Sequence, residues 1–224
     1  MDIIYHGSEQ IITKPKFGLG KNNNDYGRGF YCTREIALAK EWACKKGSNG
    51  FANKYSIALE ELNVINLNSD EYNILNWLAL LTKNRGYWQA NSIAEQAKTF
   101  LQENYLVDTG MTDVIIGNRA DDSYFSFAQD FIMGTISLQK LAEAMNLGKL
   151  GEQIVLKSEK AFGNLKYLDC ELALSEEYYT RKVNRDLEAR RSYADIKTGV
   201  DYLNDIFIID IMRGRVKNED LCIR

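Results

Sequence analysis

Short apolar runs alternate along the chain with stretches of helical spacing, and that alternation predicts its elements. Ile3, Ile4 and Tyr5 read as a first strand that delivers His6-Gly7 to its end. Residues 13 to 29 carry the one proline, four glycines and three consecutive asparagines, which is the make-up of a loop. Gly29 to Cys32 resume a strand, and Thr33 caps a helix in which Ile36, Ala39, Trp42 and Ala43 share a face. Between residues 51 and 67, Tyr55, Ile57 and Leu59 alternate in one strand. A tight turn near Asn63 is expected to return the chain as the next.

Residues 69 to 105 carry two helices, the first with Ile74, Trp77, Leu78 and Leu81 on one face and the second with Ala97, Phe100 and Leu101. Asp113 to Gly117 is a buried-type strand. A helix through Phe125, Phe131 and Ile132 follows Asp121-Asp122, and Ser137 caps one more that ends at Gly148. Gln153 to Leu156 and Tyr167 to Leu174 are strands separated by a turn at Gly163-Asn164. A polar helix then spans residues 175 to 197, and the apolar run at residues 206 to 211 is the last strand. The sum is one α+β domain over residues 1–224, with helical insertions at about 69–105 and 123–148 and no internal repeat.

Composition agrees with a folded chain. Of 224 residues 45% are apolar, enough for a core, and 13 Tyr, 9 Phe and 3 Trp stand against one Pro. The opening residues lack a basic segment followed by an apolar one, and no stretch approaches the ~20 apolar residues of a membrane span, so a cytoplasmic protein with no membrane partner is expected. Four cysteines without C-x-x-C spacing, and a single histidine, predict reduced thiols and no metal site. A net charge of −3 gives no global attraction to nucleic acid. Arg181, Lys182, Arg185, Arg190 and Arg191 could form a local basic strip, but Glu176, Glu177, Asp186 and Glu188 interleave with them as on a solvated helix face.

The chemistry lies in three fragments. A histidine at the end of an apolar strand, as in His6-Gly7-Ser8, is as readily a satisfied structural residue as a functional one. Two glycines ahead of an aromatic pair, as in Asp25 to Thr33, can be a turn entering a strand. In this order, with about twenty residues between them, His-Gly-Ser and Gly-x-Gly-Phe-Tyr resemble the NAD site of the ADP-ribosyltransferase superfamily, in the branch with a His-Tyr-Glu triad that includes the poly-ADP-ribose polymerases. The resemblance is nearest to a bacterial group of that branch. Trp42-Ala43, Ile116 to Asp122, Gln153 and Ile209 to Arg213 extend it over nearly the whole chain.

That resemblance implies two packed antiparallel β-sheets forming an NAD cleft, and the polar, glycine-flanked Asn22–Tyr26 loop, which cannot bury its backbone cheaply, is expected over it as a mobile lid. It also implies that NAD is a substrate, cleaved to release nicotinamide, with ADP-ribose passed to a macromolecular acceptor, protein or nucleic acid. His6 then donates to a ribose hydroxyl, the Gly7 backbone pairs with the nicotinamide amide, Ser8 holds the same amide, and Tyr31 stacks on the ring, with Gly29 beside it. Such groups orient the leaving group and stabilise positive charge that develops on the ribose.

At the third position the sequence offers Glu152 or Gln153, which point to opposite faces of one strand. The resemblance favours Gln153, a neutral amide that is no general base; Glu152 in its place restores polymerase-like chemistry. Asp121 and Asp122 are a second source of an acid or base near the cofactor, and equally an N-cap and first-turn acid for the following helix. Within the fold, NAD hydrolysis and RNA 2′-phosphotransfer are alternatives, and an inactive ADP-ribose-binding or protein-interaction module is the reading from another class. Analogy alone adds a toxin-like effector restrained by an antitoxin-like partner protein. Growth arrest on expression, relieved by His6→Ala, is the outcome that idea expects.

Overall fold

The computed structural model describes residues 1–86, 92–120, 122–147 and 151–221. Contacts divide the chain into two compact units, the first made of Met1–Asn66, Thr109–Asn118 and Leu150–Arg185, the second of Leu67–Asp108, Arg119–Lys149 and Asp186–Arg224. The architecture is α+β.

The first unit holds all the described strands. β1 (Asp2–Ser8), β3 (Gly50–Ile57) and β7 (Leu165–Ala173) form an antiparallel sheet with β3 in the centre. The second sheet has the order β2 (Phe30–Cys32), β6 (Glu152–Leu156), β5 (Val114–Asn118) and β4 (Val64–Asn66). It departs from the expected all-antiparallel arrangement at one pair, because β4 runs parallel to β5. The hairpin expected near Asn63 is therefore absent. β3 and β4 lie in different sheets, and Asn63 is held instead by Asp113, whose carboxylate accepts from the Asn63 N–H at 2.9 Å while its own N–H donates to the Asn63 carbonyl at 2.9 Å. A three-residue strand carries too little pattern to name its partner.

One face of each sheet supplies the core between them. Ile4, Tyr55 and Ile57 from the first sheet pack with Cys32, Val114, Ile116, Ile154 and Leu156 from the second. Strand β1 extends three residues beyond Tyr5, to Ser8, so His6 and Gly7 lie within the ladder, opposite Asn53 and Ala52. Helix α1 (Ile36–Ala43) packs on β1 and fixes the identity of Gly7. A Cβ added there would stand 2.0 Å from the Ala39 carbonyl oxygen and 2.9 Å from the Ala43 nitrogen, both rigid backbone atoms. Gly7→Ala is expected to cost about 1–3 kcal/mol or more, read as a lower urea midpoint with an unchanged slope.

Two further segments differ from the pattern reading. The turn expected at Gly163-Asn164 is preceded by a short helix, α6 (Glu159–Gly163), which Ser158 caps by accepting from the Ala161 N–H at 3.1 Å. The Asn22–Tyr26 segment, expected as a polar lid, is buried from Asp25 onward. Tyr26 is only 2% exposed, its hydroxyl donating to the Asn118 carbonyl at 2.5 Å and its own carbonyl accepting from Lys157 Nζ at 2.5 Å.

The described residues of the second unit are helical over the two stretches 67–108 and 119–149. α2 (Ile74–Asn84) packs on α3 (Ser92–Asn104), and α4 (Asp122–Ile132) packs on α5 (Leu138–Met145). Asn73 and Asn76 close a capping box on α2, and Ser137 caps α5. α7 (Ser175–Thr198) belongs to the first unit through Arg185 and to the second beyond it. Its cations are largely matched by acids, Arg181 to Glu177 at 2.8 Å, Arg185 to Glu41 at 2.5 Å and Arg190 to Asp186 at 2.9 Å, so the run is a compensated helix surface. The run at residues 206 to 211 is not a strand but leads into a helix, α8 (Ile208–Met212). Asp210 decides this, because its carboxylate accepts from the Phe207 N–H at 3.2 Å and closes the first turn.

Candidate functional site

The two sheets meet edge to edge at one rung, where Tyr5 and Thr33 exchange backbone hydrogen bonds of 2.8 and 2.9 Å. A continued antiparallel ladder would set Gly7 opposite Tyr31 as the next bonded pair. It stops instead, because the His6 ring takes the Tyr31 carbonyl oxygen, at 2.7 Å from Nδ1. Peptide groups point to alternate sides along a strand, so Gly7 aims its N–H and C=O at the same open edge that Tyr5 uses for Thr33. Neither group has a hydrogen-bond partner among the described residues. A donor and an acceptor side by side on a strand edge complement a primary carboxamide, which offers the reverse pair.

His6 is half-buried and stacked on Phe30, with ring centroids 4.1 Å apart and planes 26° from parallel. Burial holds its pKa below the ordinary 6.5, outweighing the bond to Tyr31, which raises it. The ring is therefore neutral at pH 7. A carbonyl oxygen can only accept, so the proton sits on Nδ1 and Nε2 carries a lone pair. That reverses the expected polarity of the ring's free nitrogen: Nε2 is a hydrogen-bond acceptor and not a donor.

Tyr31 lies opposite Val155 in the β2–β6 ladder. Side chains directly opposite share a face and those two apart share it again, so Tyr31, Val155 and Gln153 project from one face of the sheet. Glu152 projects from the other, where it pairs with Arg34 at 2.8 Å; Arg34 also contacts Asp2 at 3.3 Å. The two candidates for the third position are thereby separated: Gln153 shares the face of Tyr31 and Glu152 does not. Gln153 is 6% exposed, and its Oε1 is buried with no hydrogen-bond partner among the described residues. A buried amide oxygen left unmatched is costly, and the atom is open to a donor.

Gly29 passes so close over β6 that a Cβ would meet Val155 Cγ1 at 2.5 Å and the Leu156 carbonyl at 2.9 Å. The Ser8 hydroxyl is engaged in a local turn, donating to the Gln10 carbonyl and accepting from the Gln10 N–H at 3.1 Å, so it is already satisfied where it was expected to grip a ligand amide. Asp121 lies outside the described residues; Asp122 begins α4, and its side chain also lies outside them. A pocket of about 410 Å³ is lined by Gly7, Ser8, Glu9, Gln10, Ile12, Trp42 and Ala43, and joins the candidate site only through Gly7 and Ser8. Among the described residues no three His, Cys, Asp or Glu side chains converge as metal ligands. No described helix is long and apolar enough to cross a membrane.

Pattern reading gave no role to Asp25, although it opens the Asp-Tyr-Gly-Arg-Gly-Phe-Tyr motif. It is 4% exposed, and its Oδ2 accepts from Gln153 Nε2 at 3.5 Å. The Gly27 N–H closes the turn on the Asn24 carbonyl at 2.9 Å, with Gly27 at φ 72°. The Tyr31 hydroxyl locks that turn in place. It donates to the Gly27 carbonyl at 2.6 Å and accepts from the Tyr26 N–H at 3.1 Å.

The family model described as "Protein of unknown function (DUF3990)" matches residues 2–167. The chain belongs to the DUF3990 family. No curated protein and no solved structure matches it. The DUF3990 segment begins with β1 and ends in β7, so it contains His6, Gly7, Asp25, Gly29, Tyr31, Glu152 and Gln153 together.

Proposed function

We propose that the chain is an NAD-dependent ADP-ribosyltransferase whose site is formed by His6, Gly7, Tyr31 and Gln153. The reading is carried by the buried, unmatched Oε1 of Gln153 on the face of Tyr31, the residue whose carbonyl also fixes His6. In this reading Gly7 pairs its open N–H and C=O with the nicotinamide carboxamide, and Tyr31 supplies an aromatic face to the ring. His6 Nε2 and Gln153 Oε1 each accept from a sugar hydroxyl. NAD supplies the glycosidic bond to be broken; the chain's groups hold the nicotinamide and the sugar in line for its departure. The acceptor receiving ADP-ribose is a protein or a nucleic acid.

Gln153 also favours one alternative. A neutral amide holds a sugar without serving as a base, which suits a module that binds ADP-ribose and does no chemistry. Incubating the purified protein with NAD and a cell lysate separates the two. Nicotinamide release with label transferred to a lysate component is the expected result, and nuclease treatment then divides protein from nucleic-acid acceptors. Tight binding of ADP-ribose without any release would leave the module reading in possession.

A further inference from the structure

Resting on the proposed NAD site, we infer that Asp25 is a positioning residue that sets the polarity of Gln153. The NH2 end of Gln153 faces Asp25 and donates to its Oδ2 at 3.5 Å. The assignment then fixes the other end. Oε1 faces away from Asp25 as an acceptor, and it is this atom that is buried without a partner among the described residues. Without the carboxylate the amide is free to turn over and present NH2 to the same place, which would meet a sugar hydroxyl with a second donor. The 3.5 Å separation is at the long limit of a hydrogen bond, as is common in a site that tightens on its ligand.

The same turn links the two halves of the site. Asp25 and Tyr26 are its central residues, and the Tyr31 hydroxyl clamps it through Tyr26 and Gly27. Tyr31 therefore holds Asp25, and Asp25 orients Gln153. A glutamine can stand at the third position because a carboxylate stands behind it.

Two readouts test this, one of them independent of NAD. In the free protein, the side-chain amide protons of Gln153, followed by NMR, are expected to be dispersed and slow to exchange. Asp25→Ala should collapse both properties, while Asp25→Asn, whose Oδ1 still accepts, should preserve them. With NAD, Asp25→Ala is expected to weaken binding about tenfold, the worth of one or two hydrogen bonds, and Asp25→Asn to stay within about threefold of the parent. Gln153→Glu should place two carboxylates against each other and weaken binding at pH 7. Adding Asp25→Asn to it should recover much of the loss, because the asparagine NH2 then donates to the new carboxylate. That recovery also answers the objection that a buried substitution merely unfolds the chain. Equal loss in Asp25→Asn and Asp25→Ala would overturn the positioning role and point to a need for the negative charge itself. A Gln153 amide indifferent to Asp25→Ala would overturn the pairing. If parent protein ignores NAD while the amide responds as expected, the proposed function fails and the pairing of Asp25 with Gln153 survives.

Discussion

Tyr31→Ala is expected to abolish nicotinamide release, lowering turnover about a hundredfold or more, because it removes two things at once. The aromatic face against which the nicotinamide is to be held disappears, and displacing a reacting group by about 1 Å already costs on the order of a hundredfold. The turn over Gln153 loses its clamp as well, since the hydroxyl bonds to Gly27 and Tyr26 at 2.6 and 3.1 Å go with the side chain. Tyr31→Phe separates the contributions. It keeps the ring and removes only the clamp, so the expected loss is about tenfold, together with a stability cost of about 1 kcal/mol. Single-turnover nicotinamide release and a urea titration on the same samples make the measurement. Equal turnover in the parent and Tyr31→Ala would defeat the assignment of the ring to the nicotinamide.

The division between what the chain's pattern discloses and what it hides follows from the range of the interactions involved. Strands β1, β5 and β6 and the helices of the two insertions announce themselves through local periodicity, which burial on one face enforces. The opposite faces of Glu152 and Gln153 also follow from the two-residue repeat of a strand. Which of them faces Tyr31 does not, because it depends on a register set across 122 residues of chain, 153 − 31. Residues 206 to 211 mislead because an apolar run of six fits a strand or a helix equally, and the arbiter is one carboxylate, Asp210, at the third helical position. Asp25 was hidden for a different reason. Its neighbours Asn22 to Asn24 and Gly27 mark a solvent loop by composition, and the burial of Tyr26 that draws Asp25 inward relies on Asn118 and Lys157, far away in sequence.

His6 is the chain's single histidine, so its ring signals need no assignment, and they are expected to move on addition of NAD. His6→Ala should weaken NAD binding by about 0.5–1.5 kcal/mol, one lost acceptor, and lower turnover about a hundredfold, because the Tyr31 carbonyl loses the Nδ1–H that fixes it. The pH dependence carries a definite sign. The folded ring has its pKa depressed by burial below the ordinary 6.5, so between those two values the unfolded chain binds more protons than the folded one. Stability contributed by the neutral ring is thus fully present above pH ~6.5 and is lost as pH falls through the folded value. NAD binding should fall in the same window, since protonation converts Nε2 from an acceptor to a donor. Titrating the ring with and without NAD decides between roles. A ligand that uses the Nε2 lone pair must lower the pKa further, whereas a purely structural histidine titrates identically in both samples and its removal lowers the melting temperature without changing NAD affinity per folded molecule.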